Sequence, residues 1–197
     1  PNIVPDFYNI SVMKNSINVD YCGVVLCGGQ SIRMGADKSE LIFNSKTFLQ
    51  NSLDLLEKSG INKLQVSGQS GIVDKYKNKG PLGGILTCME EIQEEYLLFI
   101  PVDMPLLTVD VVSELMKVSA KYNISYFSGQ IFPFTIKNSL ENRQKMRSLI
   151  ESDKLSIQNL FKQLNAKSIQ HSIESEIFYN VNTRTDWNKI QKIRKSD

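Results

Sequence analysis

The chain has 197 residues, of which 41% are hydrophobic and 22% are charged, and its formal net charge is +2. This length and balance fit one globular domain with a sizeable core, and we expect a single domain over residues 1–197. The small net charge gives no reason to expect a nucleic-acid partner. The longest apolar run, Leu97–Val102, is too short to span a bilayer, so no membrane partner is expected either.

The N-terminal residues and the cysteines indicate the cellular compartment in which we expect the protein. Residues 1–19 have neither a basic start nor a long apolar stretch, so they indicate an N-terminal extension rather than a signal peptide, with Met13 as a candidate true start. Three cysteines without a C-x-x-C pair favour buried, reduced thiols over disulfides or zinc ligands. We therefore expect a cytoplasmic protein.

The first half of the chain alternates between strand-like and helix-like segments. Apolar runs predict strands and helical spacing of apolar residues predicts helices. In chain order these are the strand Tyr21–Cys27, the helix Thr47–Ser59, the strand Lys63–Ser67, the helix Ile85–Glu95, the strand Tyr96–Val102 and a helix from a Thr108 cap to about Lys121. This order predicts an α/β fold with a parallel sheet and helices on both faces.

The second half has a weaker pattern. We expect strands at Ile124–Phe127, Ile131–Ile136 and near Ile169 and Phe178, helices at Ser139–Ser152 and Ser156–Leu164, and a last helix opened by a Thr183–Asp186 capping box. In parallel sheets, ligands bind beyond the carboxyl ends of the strands. We therefore expect the binding and catalytic residues in the loops after Cys27, Ser67 and Val102.

A glycine-rich loop follows the first strand. Gly28 and Gly29 permit a tight turn that brings backbone N–H groups close to an anion. Arg33 adds a planar guanidinium group and Lys38 adds an ammonium group, and both can bind phosphate. The loop fits neither the Walker A pattern nor G-x-G-x-x-G. A flexible turn with two solvated cations is the alternative, but the position after a strand together with both cations favours a polyphosphate site.

The segment from Leu26 to Lys38 resembles the Leu-x-Gly-Gly-x-Ser-x-Arg-Met-Gly-x-Asp-Lys signature of the molybdenum-cofactor guanylyltransferase family. The resemblance implies a Rossmann-like three-layer sandwich with a mostly parallel central sheet, of the nucleotide-diphospho-sugar transferase type. It also implies catalytic roles for Arg33 and Lys38. The positions implied to contact GTP in this segment are Leu26, Cys27, Gly28, Gly29, Ser31, Arg33 and Lys38, with Cys27 standing where the family usually has alanine.

Asp103 follows the most apolar strand, between Pro101 and Pro105. A carboxylate there suits Mg²⁺ bound together with substrate phosphates. The alternative, a cap for the next helix, is weakened because Thr108 already offers one. The run also resembles the family's Pro-x-Asp-x-Pro metal motif, which implies that Asp103 is catalytic, contacts GTP and binds Mg²⁺.

Two further elements resemble the family's GTP site. Gly80-Pro81-Leu82-Gly83-Gly84 resembles its Gly-Pro-Leu-x-Gly run, a turn that feeds a helix N-terminus. Asp74 matches the family's guanine-reading aspartate, and its carboxylate would accept hydrogen bonds from guanine N1–H and the 2-amino group. A solvated aspartate among Lys75, Lys77 and Lys79 remains the alternative for Asp74.

The C-terminal run Tyr179–Thr183 resembles the family's Asn-x-Asn-Thr run. Asn180 and Asn182 alternate, so on an extended segment both amides face the same side. The alternative is a turn before the last helix. The segment Gln130–Phe134, around Pro133, matches loosely the region where the family contacts its acceptor. Pro133, Asn180 and Asn182 are therefore the acceptor-site candidates.

The resemblance implies transfer of GMP from GTP to the terminal phosphate of molybdopterin, with release of pyrophosphate and with Mg²⁺ as cofactor. GTP and molybdopterin are then the substrates, and proteins that supply molybdopterin or act as molybdoenzyme chaperones are possible partners. Two alternatives stay open. One is a cytidylyl- or other nucleotidyltransferase with a different phosphorylated acceptor, and the other is a non-catalytic protein that binds or delivers the cofactor.

Overall fold

The computed structural model describes residues 19–27 and 38–193. A six-stranded sheet forms the centre of this region, in the strand order β4-β1-β5-β7-β6-β8. Its strands are β1 (Tyr21–Leu26), β4 (Lys63–Ser67), β5 (Tyr96–Pro101), β6 (Ile124–Phe127), β7 (Phe134–Lys137) and β8 (Lys167–Ile169), and a small separate hairpin is formed by β2 (Ile42–Phe43) and β3 (Lys46–Thr47). All strand pairs in the sheet are parallel except those that involve β7. The predicted mostly parallel sheet is therefore confirmed.

The helices are α1 (Phe48–Lys58), α2 (Gly80–Glu91), α3 (Val109–Ser119), α4 (Leu140–Glu151), α5 (Ile157–Gln163) and α6 (Arg184–Ile193). Side-chain caps fix several of the helix starts. Ser139 and Ser156 each accept from the backbone N–H three residues later, and Thr47 and Gln50 form a reciprocal capping box at α1. Among the described residues, no helix is long and apolar enough to cross a membrane.

The predicted helix Ile85–Glu95 is wrong at both ends. α2 already begins at Gly80, so the glycine-rich element is its first turn and not a loop before it. Pro81 lies in that first turn, where its fixed φ suits a helix and its missing N–H costs nothing. The helix ends at Glu91 because Ile92 takes an extended conformation and buries its side chain.

Three other expectations also need correction. The predicted strand Ile131–Ile136 begins only at Phe134, because residues 129–132 leave the sheet and line a cavity. The run near Phe178 is a 3₁₀ helix, Ser175–Phe178, in which Phe178 is buried against the Phe127 ring instead of pairing in a strand. Thr108 occupies the N-cap position of α3, but its side chain makes no capping hydrogen bond.

Successive side chains of the central strands point to opposite faces of the sheet, and each face therefore has its own hydrophobic core. On β5, Leu97 and Phe99 face a core with α2, α4 and α5, while Leu98 and Ile100 face a second core with α1, α3 and α6. Helices therefore cover both faces of the sheet, which confirms the three-layer sandwich. Cys22 and Cys88 are buried thiols in the first core, and burial raises their pKa values to about 12 and about 11.

The order of the strands sets the position of the site. β1 lies between β4 and β5, and all three run parallel. Backbone bonds continue beyond the strand ends, from Cys27 N–H to Ser67 O at 2.9 Å and from Val102 N–H to Leu26 O at 3.1 Å. The three loops that the sequence singled out therefore leave the same edge of the sheet.

Leu98→Ala should lower the free energy of unfolding by about 2–5 kcal/mol, because it opens a void at a fully buried position on a central strand. Leu140→Ala makes the same chemical change at a side chain that is 59% exposed, and should change the free energy of unfolding by no more than about 0.5 kcal/mol. Denaturant titration of both variants measures this. Equal decreases in the free energy of unfolding of the two variants would contradict the assignment of Leu98 to the second core.

Candidate active site

A cavity of about 750 Å³ opens at the carboxyl edge of the sheet. Its walls come from the ends of β1 and β5, the first turn of α2, the 129–132 loop, the start of α5 and the 180–182 segment. Side chains from these six parts of the chain, together with Lys38, therefore meet around one space. The volume is in the range that binds small molecules.

Lys38, Asp103 and Asn182 form a cluster in the wall of this cavity. The Lys38 Nζ donates to Asp103 Oδ2 at 2.8 Å and to Asn182 Oδ1 at 2.7 Å. The side chains of Lys38 and Asp103 are 17% and 19% exposed, so the pair is partly shielded but open to the cavity. A cation, an anion and a neutral amide oxygen thus converge on one point.

The segment Tyr179–Thr183, here called the C-terminal strap, positions Asn182. The Val181 N–H donates to the Asp103 backbone oxygen at 2.8 Å, and the Val181 side chain is fully buried. These two contacts hold the strap against the turn that carries Asp103. They place Asn180 and Asn182 on either side of an anchored residue, where both line the cavity.

Asp186 in the first turn of α6 fixes the other end of the strap. Its carboxylate accepts from Tyr179 Oη at 2.7 Å and from the backbone N–H groups of Asn182 at 3.0 Å and Thr183 at 2.8 Å. Thr183 Oγ1 accepts in return from the Asp186 N–H at 3.1 Å, so the predicted capping box is present. The hydrogen bonds from Tyr179 and then Thr183 lower the pKa of Asp186 to about 2.

The Lys38 cluster suits a divalent cation. Asp103 and Asn182 both direct an oxygen at one cationic atom, and carboxylate and amide oxygens are ligands of the hard cation Mg²⁺. Within residues 19–27 and 38–193, no group of three or more His, Cys, Asp and Glu side chains is arranged to hold a metal ion.

Asp74 lies beside the first turns of α2. Its Oδ1 accepts from the Tyr76 N–H at 2.7 Å and lies 3.3 Å from the Thr87 hydroxyl. A Cβ at Gly83 would stand 2.6 Å from the Tyr76 oxygen and 2.9 Å from Asp74 Oδ2, so only glycine lets α2 come this close to the Asp74 loop. The carboxylate is therefore held in a fixed position beside Gly83 on α2, and Asp74 is not among the residues that line the cavity.

The other sequence-predicted residues lie in different places. Leu26 and Cys27 line the cavity with the Lys38 cluster, whereas Pro133 is buried and its neighbours Gln130–Phe132 line the cavity instead. Gly80 is exposed, with φ +57°, and is not among the lining residues. The predicted contacts Gly28, Gly29, Ser31 and Arg33 lie outside the described residues.

Sequence reasoning missed several residues of this site. The capping-box pattern located Asp186, but it gave no sign that the carboxylate also holds the Asn182 backbone. Gln158 lines the cavity and was not singled out, because a lone glutamine carries no spacing signal. Lys38 and Asp103 were both selected, but the sequence did not show that they form an ion pair.

Comparison with known proteins bears on the family. Residues 23–166 match the family described as "MobA-like NTP transferase domain", which is well over half of the chain. This chain belongs to that family. The relationship to the molybdenum-cofactor guanylyltransferase family that the Leu26–Lys38 signature indicated is confirmed.

Individual relatives agree with this assignment. A molybdenum cofactor guanylyltransferase of Xanthomonas euvesicatoria is 29% identical over 185 residues, which cover 86% of this chain and 94% of the relative. The molybdopterin-guanine dinucleotide biosynthesis protein A of Archaeoglobus fulgidus has a similar fold, with a TM-score of 0.71, 18% identity and coverage of 89% of this chain and all of the other. The 4-diphosphocytidyl-2C-methyl-D-erythritol synthase of Anaerococcus prevotii shares the fold at a TM-score of 0.68, with 9% identity and coverage of 90% and 99%. The predicted nucleotidyltransferase fold is confirmed.

Asp186→Asn should lower the thermal midpoint of unfolding near neutral pH, since the amide replaces a carboxylate that four donors stabilise. The pKa of Asp186 is depressed when folded, so its contribution is fully present above the ordinary carboxylate value of 3.8 and is lost as the pH falls towards about 2. The difference in the thermal midpoint between wild type and Asp186→Asn should therefore become smaller over that pH range. A difference in thermal midpoint that does not change with pH would contradict the stabilising role of the Asp186 negative charge.

Proposed function

We propose that this chain transfers GMP from GTP to the terminal phosphate of molybdopterin and releases pyrophosphate. The observation that carries the proposal is the Lys38–Asp103–Asn182 cluster in the wall of a cavity of small-molecule size, in a MobA-like NTP transferase domain. The name of the Xanthomonas relative supports GTP and molybdopterin as the substrates.

The triphosphate would lie between the glycine-rich loop and Asp103. Leu26, the last residue of β1, and Cys27 after it line the cavity. We propose, as the resemblance implies, that Gly28, Gly29, Ser31 and Arg33 contact the triphosphate. Lys38 would exchange its bond to Asp103 for bonds to phosphate oxygens. Backbone N–H groups and cations aimed at developing negative charge are the usual source of catalysis in phosphoryl and nucleotidyl transfer.

Mg²⁺ is part of the proposal, and Asp103 is the residue proposed to hold it, with Asn182 next to it. When bound, the ion would neutralise charge on the triphosphate. The C-terminal strap keeps the Asn182 amide in place through Val181 and Asp186, so the oxygens are positioned before substrate binds.

The transfer needs no general base. The terminal phosphate of the acceptor has a second pKa of about 6, so it is largely a dianion at neutral pH. One of its oxygens forms a bond to the α-phosphorus, the bond from that phosphorus to the bridging oxygen breaks, and pyrophosphate leaves with the electron pair. The protein is required mainly to align the two phosphates and stabilise charge. Pro133 shapes the acceptor side from a buried position, and Asn180 and Asn182 line it.

The same proposal implies partners and a compartment. Proteins that supply molybdopterin, or chaperones of molybdoenzymes that take the product, are the candidate protein partners of such a reaction. Buried thiols at Cys22 and Cys88 support a cytoplasmic location, where cysteines stay reduced.

The reaction is tested by pyrophosphate release with Mg²⁺ and each of GTP, CTP, ATP and UTP, with and without molybdopterin. Release that requires both GTP and molybdopterin is expected. Asp103→Asn should reduce the turnover by about 100-fold or more, because one central electrostatic contact is lost. It should also weaken Mn²⁺ binding in the presence of GTP, as measured by electron paramagnetic resonance.

Asp110→Asn is the matched control, since Asp110 is an exposed aspartate in the first turn of α3 and is not among the cavity residues. It should keep wild-type turnover and Mn²⁺ binding. Turnover with CTP in place of GTP would replace the guanylyl assignment with a cytidylyl one. Folded protein that is inactive with all four nucleotides would favour a binding or delivery role, and full activity of Asp103→Asn would contradict the metal role.

Guanine selection by Asp74 is a further part of the proposal. Asp74→Asn keeps an oxygen for the Tyr76 N–H but presents an NH₂ group where guanine would offer donors. The preference for GTP over CTP should fall by at least about tenfold, the factor for one charged hydrogen bond. Asp153→Asn, at an exposed residue paired with Lys79, should leave that preference unchanged. An unaltered preference in Asp74→Asn would remove Asp74 from the base site.

A further inference from the structure

The Asp74 loop, residues 68–79, joins β4 to α2. Its second half, residues 73–78, forms neither strand nor helix, and the side chains of Lys75 and Lys77 are exposed. No ladder of backbone hydrogen bonds fixes such a segment, so its conformation depends on bonds to the elements beside it. A residue that reads a base from this loop therefore needs an anchor.

Tyr76 provides an anchor. Its ring packs against the first core, and its hydroxyl donates to Glu90 Oε1 on α2 at 2.8 Å. Arg147 on α4 donates to the same oxygen, from Nε at 3.1 Å and from Nη2 at 2.6 Å. Three donors therefore converge on one carboxylate oxygen, and this Glu90 junction ties the Asp74 loop, α2 and α4 together.

The Glu90 junction is built around a partly shielded negative charge. The Glu90 side chain is 14% exposed, whereas that of Arg147 is 42% exposed. Burial opposes ionisation of Glu90, but the hydrogen bonds from Arg147 and Tyr76 outweigh it and lower the pKa of the carboxyl group. Hydrogen bonds to an ionised acceptor are stronger than those between neutral groups. The bond from the Tyr76 hydroxyl is therefore a strong attachment for the loop.

The position of Tyr76 determines the position of Asp74. The Tyr76 N–H donates to Asp74 Oδ1 at 2.7 Å, so the residue anchored at Glu90 also holds the carboxylate two positions earlier. Between them, the Lys75 N–H donates at 3.1 Å to the buried hydroxyl of Thr87, which lies 3.3 Å from Asp74 Oδ1. Within the described part of the chain, Asp74 Oδ2 accepts no hydrogen bond, so this oxygen is left for a ligand.

We propose that Tyr76, Glu90 and Arg147 are positioning residues for the choice of nucleotide base, and that they act through Asp74. This inference rests on the proposed function, in which Asp74 reads guanine. A carboxylate discriminates between bases when its oxygens stay where the guanine donors will lie, because a mobile group adapts to other bases. The Glu90 junction supplies this order from a distance, since none of its three residues is among those that line the cavity.

Calorimetric titration of the full chain with GTP and with CTP, in the presence of Mg²⁺, tests this proposal. Tyr76→Phe removes one oxygen and should lower the ratio of GTP affinity to CTP affinity about fivefold, somewhat less than the effect of losing a charged hydrogen bond to the base itself. Arg147→Met removes the cation from the same Glu90 oxygen and should lower the ratio to a similar extent.

A double variant tests whether Tyr76 acts through Asp74. Residues that act through one group are not additive, so Tyr76→Phe combined with Asp74→Asn should have the ratio of Asp74→Asn alone, within about twofold. A general loss of structure does not produce this pattern. A ratio that falls by the product of the two single effects would contradict action through Asp74.

Two matched controls lose comparable bonds away from the Asp74 loop. Tyr96→Phe removes a hydroxyl that donates to the Ala120 oxygen at 3.2 Å, from the first residue of β5. Arg143→Met removes an arginine on α4 that donates to the Met89 oxygen on α2 at 3.2 Å. Both should keep the wild-type ratio of GTP affinity to CTP affinity, even where the thermal midpoint of unfolding falls.

The outcomes distinguish this inference from the proposed function. If Asp74→Asn lowers the ratio while the Tyr76 and Arg147 variants match the controls, the inference is wrong and the role of Asp74 stands. If Asp74→Asn leaves the ratio unchanged, Asp74 does not read the base and the inference fails with it. Because binding is measured, neither result depends on the acceptor or on turnover, and pyrophosphate release decides the transfer reaction separately.

Discussion

The parallel pairing of β1 with β5 is the constraint on which the site depends. The register runs from Tyr21 opposite Tyr96 to Leu26 opposite Pro101, so the two strands end together. Lys38 and Asp103, which are 65 positions apart in sequence, can therefore form an ion pair at 2.8 Å. Both strands are buried on both faces, which fixes their register, since a slip by one residue would turn each core side chain to the wrong face.

The C-terminal strap provides a second constraint, because it positions Asn182, the member of the Lys38 cluster that does not follow a strand of the sheet. The C-terminal strap is not a strand, yet Asn182 stands within 2.7 Å of Lys38 Nζ. The strap stays there because Asp186 remains ionised over the physiological range and accepts from its backbone, while Val181 is buried below it. The cluster is thus assembled from a rigid sheet edge on one side and a charge-held segment on the other.

Much of the fold was predictable because its signals are local. Apolar runs predicted β1, β4 and β5, and helix-like patterns predicted α1, α4 and α5, since both signals depend on neighbours in sequence. The start of α2 was wrong because glycine and proline indicate a turn and also fit a first helical turn. Candidate residues such as Asp103 came from a motif, but the contact of Asn182 with Lys38 depends on chain segments far apart. Gln158 gave no signal, because an isolated polar residue on a helix is typical of any solvent-facing surface.

The central claim is that the Lys38–Asp103–Asn182 cluster is where a metal-bound triphosphate sits. The most direct measurement is a crystal structure with Mn²⁺ and a non-hydrolysable GTP analogue, in which anomalous scattering locates the metal. We expect a metal at coordination distance, about 2.1 Å, from an Asp103 carboxylate oxygen and next to Asn182, with Lys38 Nζ bound to phosphate. A metal bound elsewhere, with the Lys38–Asp103 ion pair intact beside a bound nucleotide, would contradict it.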